Sequence, residues 1–209
     1  MKKQAAFVIA GLFVGGLFAF STGAHALDTT GTVDYTSGNI NFDPQDPDDP
    51  SASLPTSLNF GSHPIQTKTA ETWTATSDGV QTSPITTGKV AVSDNRGEAS
   101  SSGWAIKVAQ PEAFKAGEKE LTGASLSFTV GELTNNVNSL PTGEGIANDS
   151  TYNLLVGQTG SVITAQTNQG AGETALPITK FTLGVPANTA KTAAQYQTTV
   201  VWTFSATPS

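Results

Sequence analysis

Residues 196–209 read YQTTVVWTFSATPS, and their pattern decides the fold class. Tyr196, Thr198, Val200, Trp202 and Phe204 share one face of an extended chain. Gln197, Thr199, Val201, Thr203 and Ser205 share the other. A period of two held over this length marks a half-buried β-strand. Its β-branched and aromatic side chains suit a pleated surface. Pro208 cannot extend a ladder, so the strand stops there. A strand this long is expected to sit centrally, with its inner face in the core.

Outward from it, residues 103–108 (GWAIKV) repeat the theme, with Trp104, Ile106 and Val108 on one face. From Leu54 onward the chain reads as strand and turn. Strands are predicted at 72–76 around Trp73, at 89–92, at 125–130, at 152–156, at 161–164 and at 178–185. Leu126, Phe128 and Val130 should point inward, as should Phe181, Leu183 and Val185. The run 157–160, GQTG, reads as the turn of a hairpin. A further short strand is expected at 31–35, and 93–103 reads as a polar loop. Helix signals are scarce. Residues 111–119 are expected to make one or two helical turns over Phe114, and 187–195 a loop with a turn of helix. About eight to twelve short strands with Gly and Asn turns predict an all-β domain, a β-sandwich or barrel with little helix.

The chain has 209 residues, enough for one domain with a single core. Residues 1–26 are predicted to be a secretory signal peptide, leaving 27–209 as the mature domain. Lys2 and Lys3 precede an apolar run at 5–20, and Ala24-His25-Ala26 offers small residues for cleavage. That run is shorter than the roughly 20 residues a membrane span needs. No later apolar run is long enough, so no transmembrane segment is expected after cleavage. Without Lys2 and Lys3, eight basic residues face seventeen acidic ones, a net charge of −9. The basic residues form no cluster, which leaves nucleic-acid binding without an electrostatic footprint. Cysteine is absent, so stability must come from packing, and thiol catalysis and thiolate metal sites are excluded.

Residues 43–50, DPQDPDDP, combine four carboxylates with three prolines. Such a run reads as a solvated, extended loop. A calcium loop is the alternative, but it would need a turning Gly that the run lacks. His63 is the only histidine of the mature chain and has no nucleophile elbow or further nitrogen ligands near it in sequence. Glu98, Glu112, Glu118, Glu120, Glu132 and Glu144 lie in polar loops, where nothing would raise a pKa for acid catalysis. No phosphate loop, cofactor motif or metal-ligand spacing occurs, so no enzyme activity is expected. Residues 140–144, LPTGE, lack the spacing of a sortase signal.

Trp104-Ala105-Ile106 and Trp202-Thr203-Phe204 resemble the two Trp-x-Leu motifs of the WxL cell-wall-binding domain, with Ile106 and Phe204 standing where that family has leucine. Tyr196, Trp202, Thr203 and Pro208 match its distal motif. The segments 59–63 (NFGSH), 92–97 (VSDNRG) and 119–123 (KELTG) are similar too, so the likeness covers nearly the whole mature chain. The resemblance implies a protein secreted to the surface of Gram-positive bacteria and held on the wall by peptidoglycan. It implies a wall-binding motif of Trp104, Ile106, Tyr196, Trp202 and Phe204. An alternative is a structural subunit docking on a membrane-anchored surface protein. The motif tryptophans read either as core anchors or as sugar-stacking platforms. Trp202 is expected to matter more to the fold than Trp104, whose strand opens from a loop. Arg96 reads either as a structural ion pair, with Asp94 as one partner, or as a ligand contact.

The mature protein should begin near Leu27. Mass spectrometry of wall extracts checks this, and a mass retaining residues 1–26 would replace the signal peptide with an anchor.

Overall fold

A computed structural model describes residues 32–42, 53–97, 102–142, 145 and 148–207. The chain divides into two units, residues 1–35 and 36–209. The predicted signal peptide and the acidic run 43–50 lie outside the described residues. Residues 32–35 carry no strand, contrary to the reading of 31–35. Val33 and Tyr35 are 72% and 90% exposed, so their alternation faces no core.

The second unit contains β1 (Ile40–Phe42), β2 (Glu71–Thr74), β3 (Gly88–Asp94), β4 (Trp104–Ala109), β5 (Lys115–Ala116) and β6 (Lys119–Glu120). It continues with β7 (Ser125–Val130), β8 (Thr134–Asn135), β9 (Thr151–Leu154), β10 (Thr159–Ala165), β11 (Gly172–Val185) and β12 (Val201–Ser205). All pairings between these strands are antiparallel. The large sheet runs β1-β3-β11-β7-β9, and β2 and β8 also pair with β11. The small sheet runs β10-β4-β12. This is the predicted all-β sandwich.

β11 is the spine of the large sheet. β3 and β2 succeed one another along one edge, and β8 and β7 along the other. Pro177 sits inside this central strand, where a missing N–H would normally break a ladder. It falls between the residues paired to β8 and those paired to β7, so the gap absorbs the defect. The two sheets share one core. Val90, Val92, Leu126, Phe128, Leu176 and Ile178 of the large sheet meet Trp104, Ile106, Val108 and Val162 of the small one. The predicted inward sets of β7 and β11 are all buried.

Five further expectations are corrected. The strand at 196–205 shortens to β12, and β12 is an edge strand rather than a central one. Its partner β4 ends at Ala109, and Pro111 has no N–H with which to carry the ladder on. The run 157–160 does not close a hairpin. β9 pairs with β7 in the large sheet and β10 with β4 in the small one, so the chain changes sheets there. Residues 111–119 form no helix. Gly117, at φ 58°, opens the two-residue turn of the β5–β6 hairpin, a positive-φ position that Gly takes readily. Residues 187–195 are loop without a helical turn.

The fifth correction concerns the tryptophans. Trp104 is 0% exposed on the central strand of the small sheet, whereas Trp202 is half-buried on its edge. Trp104→Ala should therefore cost about 3–5 kcal/mol, out of a total near 5–15 kcal/mol. Trp202→Ala should cost less, and Trp202→Phe should fold normally. Urea denaturation followed by circular dichroism ranks the three, and the reverse order would contradict the burial.

Candidate functional site

The two motif strands are hydrogen-bonded neighbours. β12 pairs with β4 so that Phe204 faces Ile106 and Trp202 faces Val108. Trp104 and Ile106 are buried completely. The indole Nε1–H of Trp104 donates to the carbonyl of Gly170 at 3.2 Å. Gly170 holds φ 72°, and a Cβ there would lie 2.5 Å from Nε1. Only glycine lets that backbone come so close. Trp202 packs on Phe128 at 5.5 Å, and Phe204 stacks on Phe42 at 5.8 Å. Tyr196 is half-buried, and its hydroxyl accepts from the Thr192 amide at 2.8 Å.

Arg96 is engaged on every side of its guanidinium. Nε and Nη2 fork onto the carboxylate of Asp94 at 2.9 and 2.8 Å. Nη2 also donates to the Gly103 carbonyl at 3.0 Å, and Nη1 to Ser102 Oγ and the Ala206 carbonyl at 3.2 Å each. Asp94 is 2% exposed. The Asp94 carboxylate raises the Arg96 pKa, so the guanidinium stays charged. One side chain thus ties the end of β3 to the start of β4 and to the chain just past β12. This is the geometry of a structural clamp.

The domain also has an open cleft, lined by residues 55–65 and 191–200 among others. Phe60, Phe114, Leu126, Phe181 and Leu183 contribute apolar lining. Of the motif residues, Tyr196 and Trp202 line it. At Gly61 the wall loop turns at φ 93° beside the backbone of Gly79, and Asn59 Oδ1 accepts from the Gly61 amide at 3.0 Å. His63 stacks on Trp73 with ring centroids 3.4 Å apart, and its Nε2 bonds the Phe60 carbonyl at 2.7 Å.

The residue sequence reasoning missed is Glu71. Its carboxylate pairs with the ammonium of Lys191, and both side chains are about nine-tenths buried. Lys191 Nζ also donates to the Gln66 carbonyl at 2.6 Å. The Lys191 hydrogen bond holds the Glu71 pKa below its ordinary value, although burial pushes the other way. The partners lie 120 residues apart, so no local pattern announced them. The Glu residues singled out in the loops at 112, 118, 120 and 132 are exposed, and Glu98 and Glu144 lie outside the described residues.

The fold and the site define a cysteine-free β-sandwich module whose paired tryptophan motifs build the small sheet and whose open cleft runs beside it. The chain belongs to the WxL domain surface cell wall-binding family, which matches residues 22–208. No curated protein and no solved structure matches it.

Lys191→Met should destabilise the domain by about 1–3 kcal/mol, between the exposed and the fully buried case. Because the folded Glu71 pKa is depressed, the pair's contribution is full above the unfolded value near 4.3 and fades as pH falls through the folded one. The gap in melting temperature between wild type and Lys191→Met should therefore begin to narrow below about pH 4.3 and close only as pH falls through the depressed folded value. A gap that is constant from neutral to acid pH would contradict the ion pair.

Proposed function

We propose that this is a secreted surface protein held non-covalently on the Gram-positive cell wall, binding peptidoglycan through its WxL domain. The observation that carries the reading is the family match over residues 22–208. Charge supports it. The mature chain is acidic, and wall polymers are largely anionic, so attraction between opposite charges is not the main force. Neutral contacts of the kind an apolar cleft supplies must dominate.

The role is binding rather than catalysis. A glycan-cleaving acid needs a carboxyl whose pKa is raised, with a second carboxyl opposite it. The buried carboxylate of the cleft, Glu71, is neutralised by Lys191 and its pKa is lowered. A second reading, a structural subunit docking on a membrane-anchored partner, is favoured by the open edge of β12. That edge carries no charged residue, and Val201 is 41% exposed on it.

Sedimentation of the mature protein with purified peptidoglycan, with and without the candidate partner, tests both. Sedimentation with bare wall is expected, and binding should hold or rise with NaCl as repulsion is screened. Sedimentation only with the partner would favour the second reading. A steep fall with salt would point to a local basic site, with Lys107 the first residue to substitute.

A further inference from the structure

Thr198, Thr199 and Val200 continue the alternation that leads into β12, yet they make no backbone–backbone hydrogen bond to any described residue. On one side of them, Gln197 exchanges both backbone bonds with Lys115, at 2.8 and 2.9 Å. On the other, pairing resumes at Val201 opposite Ala109. The Thr198 hydroxyl is engaged separately, donating to the Glu112 carbonyl at 2.6 Å and accepting from Gln110 Nε2 at 3.2 Å. Along an extended chain, successive N–H groups point to opposite edges. Gln197 turns toward Lys115, so Thr198 and Val200 turn their amides the other way. Both residues line the cleft, as does the stretch 55–65.

Several of the cleft's other recognition groups are already engaged. Lys115 and Lys191 are ion-paired to Glu112 and Glu71. Phe60 meets Phe114 edge-on at 6.2 Å, Trp73 is stacked on His63, and Trp202 lies against Phe128. A sugar platform needs an open ring face, and Phe60, Trp73 and Trp202 each already give part of their ring surface to a protein ring. Unpaired backbone amides beside an apolar floor suit an extended peptide, which adds as a strand.

We infer that the cleft takes the peptide stem of peptidoglycan, not its glycan chain, as an added strand along 198–200. The inference rests on the wall-binding reading above. Size agrees with it. Residues 196–202 span roughly 23 Å at about 3.3 Å per residue, and a stem of about four or five residues reaches at most about 18 Å. A longer strand from a partner protein is the competing occupant.

The test offers wild-type protein three probes: intact sacculi, sacculi stripped of stems by an amidase, and free synthetic stem peptide. Intact sacculi should retain the protein, stripped glycan should not, and free stem peptide should compete. Amide hydrogen exchange at Thr198 and Val200 should slow when stem peptide is added. Val200→Pro removes one N–H that points away from β4 and has no backbone partner among the described residues. It should weaken binding roughly tenfold, while Val200→Ala, which keeps the amide, should stay within about threefold of wild type. Should Val200→Pro fail to fold, the exchange measurement on wild type decides alone. Equal retention on stripped glycan would overturn the inference and leave wall binding standing. No retention on intact sacculi would overturn the wall-binding reading itself. Slowed exchange with a partner protein but not with stem peptide would assign the cleft to that partner.

Discussion

The structure depends on the burial of Trp104. An indole removes on the order of 150–250 Å² from water, but its N–H must find an acceptor when buried. Gly170 supplies one, and only because its backbone adopts a conformation that glycine tolerates. That contact reaches from β4 to the loop between β10 and β11. It therefore links the middle of the small sheet to the approach of the large sheet's spine. Ile106 and Val108 follow on the same face, and the core of both sheets closes over them.

The second constraint is electrostatic. Asp94 ends β3 in a buried position, where an unpaired carboxylate would be strongly unfavourable. Arg96 neutralises it with a planar fork and uses its remaining donors on Gly103 and Ala206. Lysine has no such fork and would leave part of this network unmade. The clamp places the start of β4 beside the chain that follows β12, where the two motif strands meet. With no disulfide in the chain, these two interactions fix the small sheet.

Much of the fold was legible in the sequence. Alternation identified β4, β7, β11 and β12, and the inward faces of β7 and β11 were read correctly, because a period of two reports directly on one buried face. Alternation does not report the partner. It could not tell that 157–160 carries the chain between sheets, because a Gly-rich turn looks the same whether or not its flanking strands pair. It overestimated the strand at 196–205, because inward and outward positions persist in extended chain without a ladder. The candidate site was less legible. Trp104 and Trp202 read alike as patterns, and only the strand order separates a buried centre from a half-buried edge. The Glu71–Lys191 pair and the cleft it borders are made by residues distant in sequence.

The division of labour between the tryptophans is the central claim: Trp104 builds the domain from the buried centre of the small sheet, whereas Trp202 lines the open cleft. A protein carrying Trp73→Phe and Trp202→Phe keeps Trp104 as its one emitter. Its fluorescence should be blue-shifted, resistant to acrylamide, and unchanged when soluble peptidoglycan fragments are added at saturation. Emission that acrylamide quenches readily, or that shifts on adding the fragments, would place Trp104 at the wall contact and contradict the account.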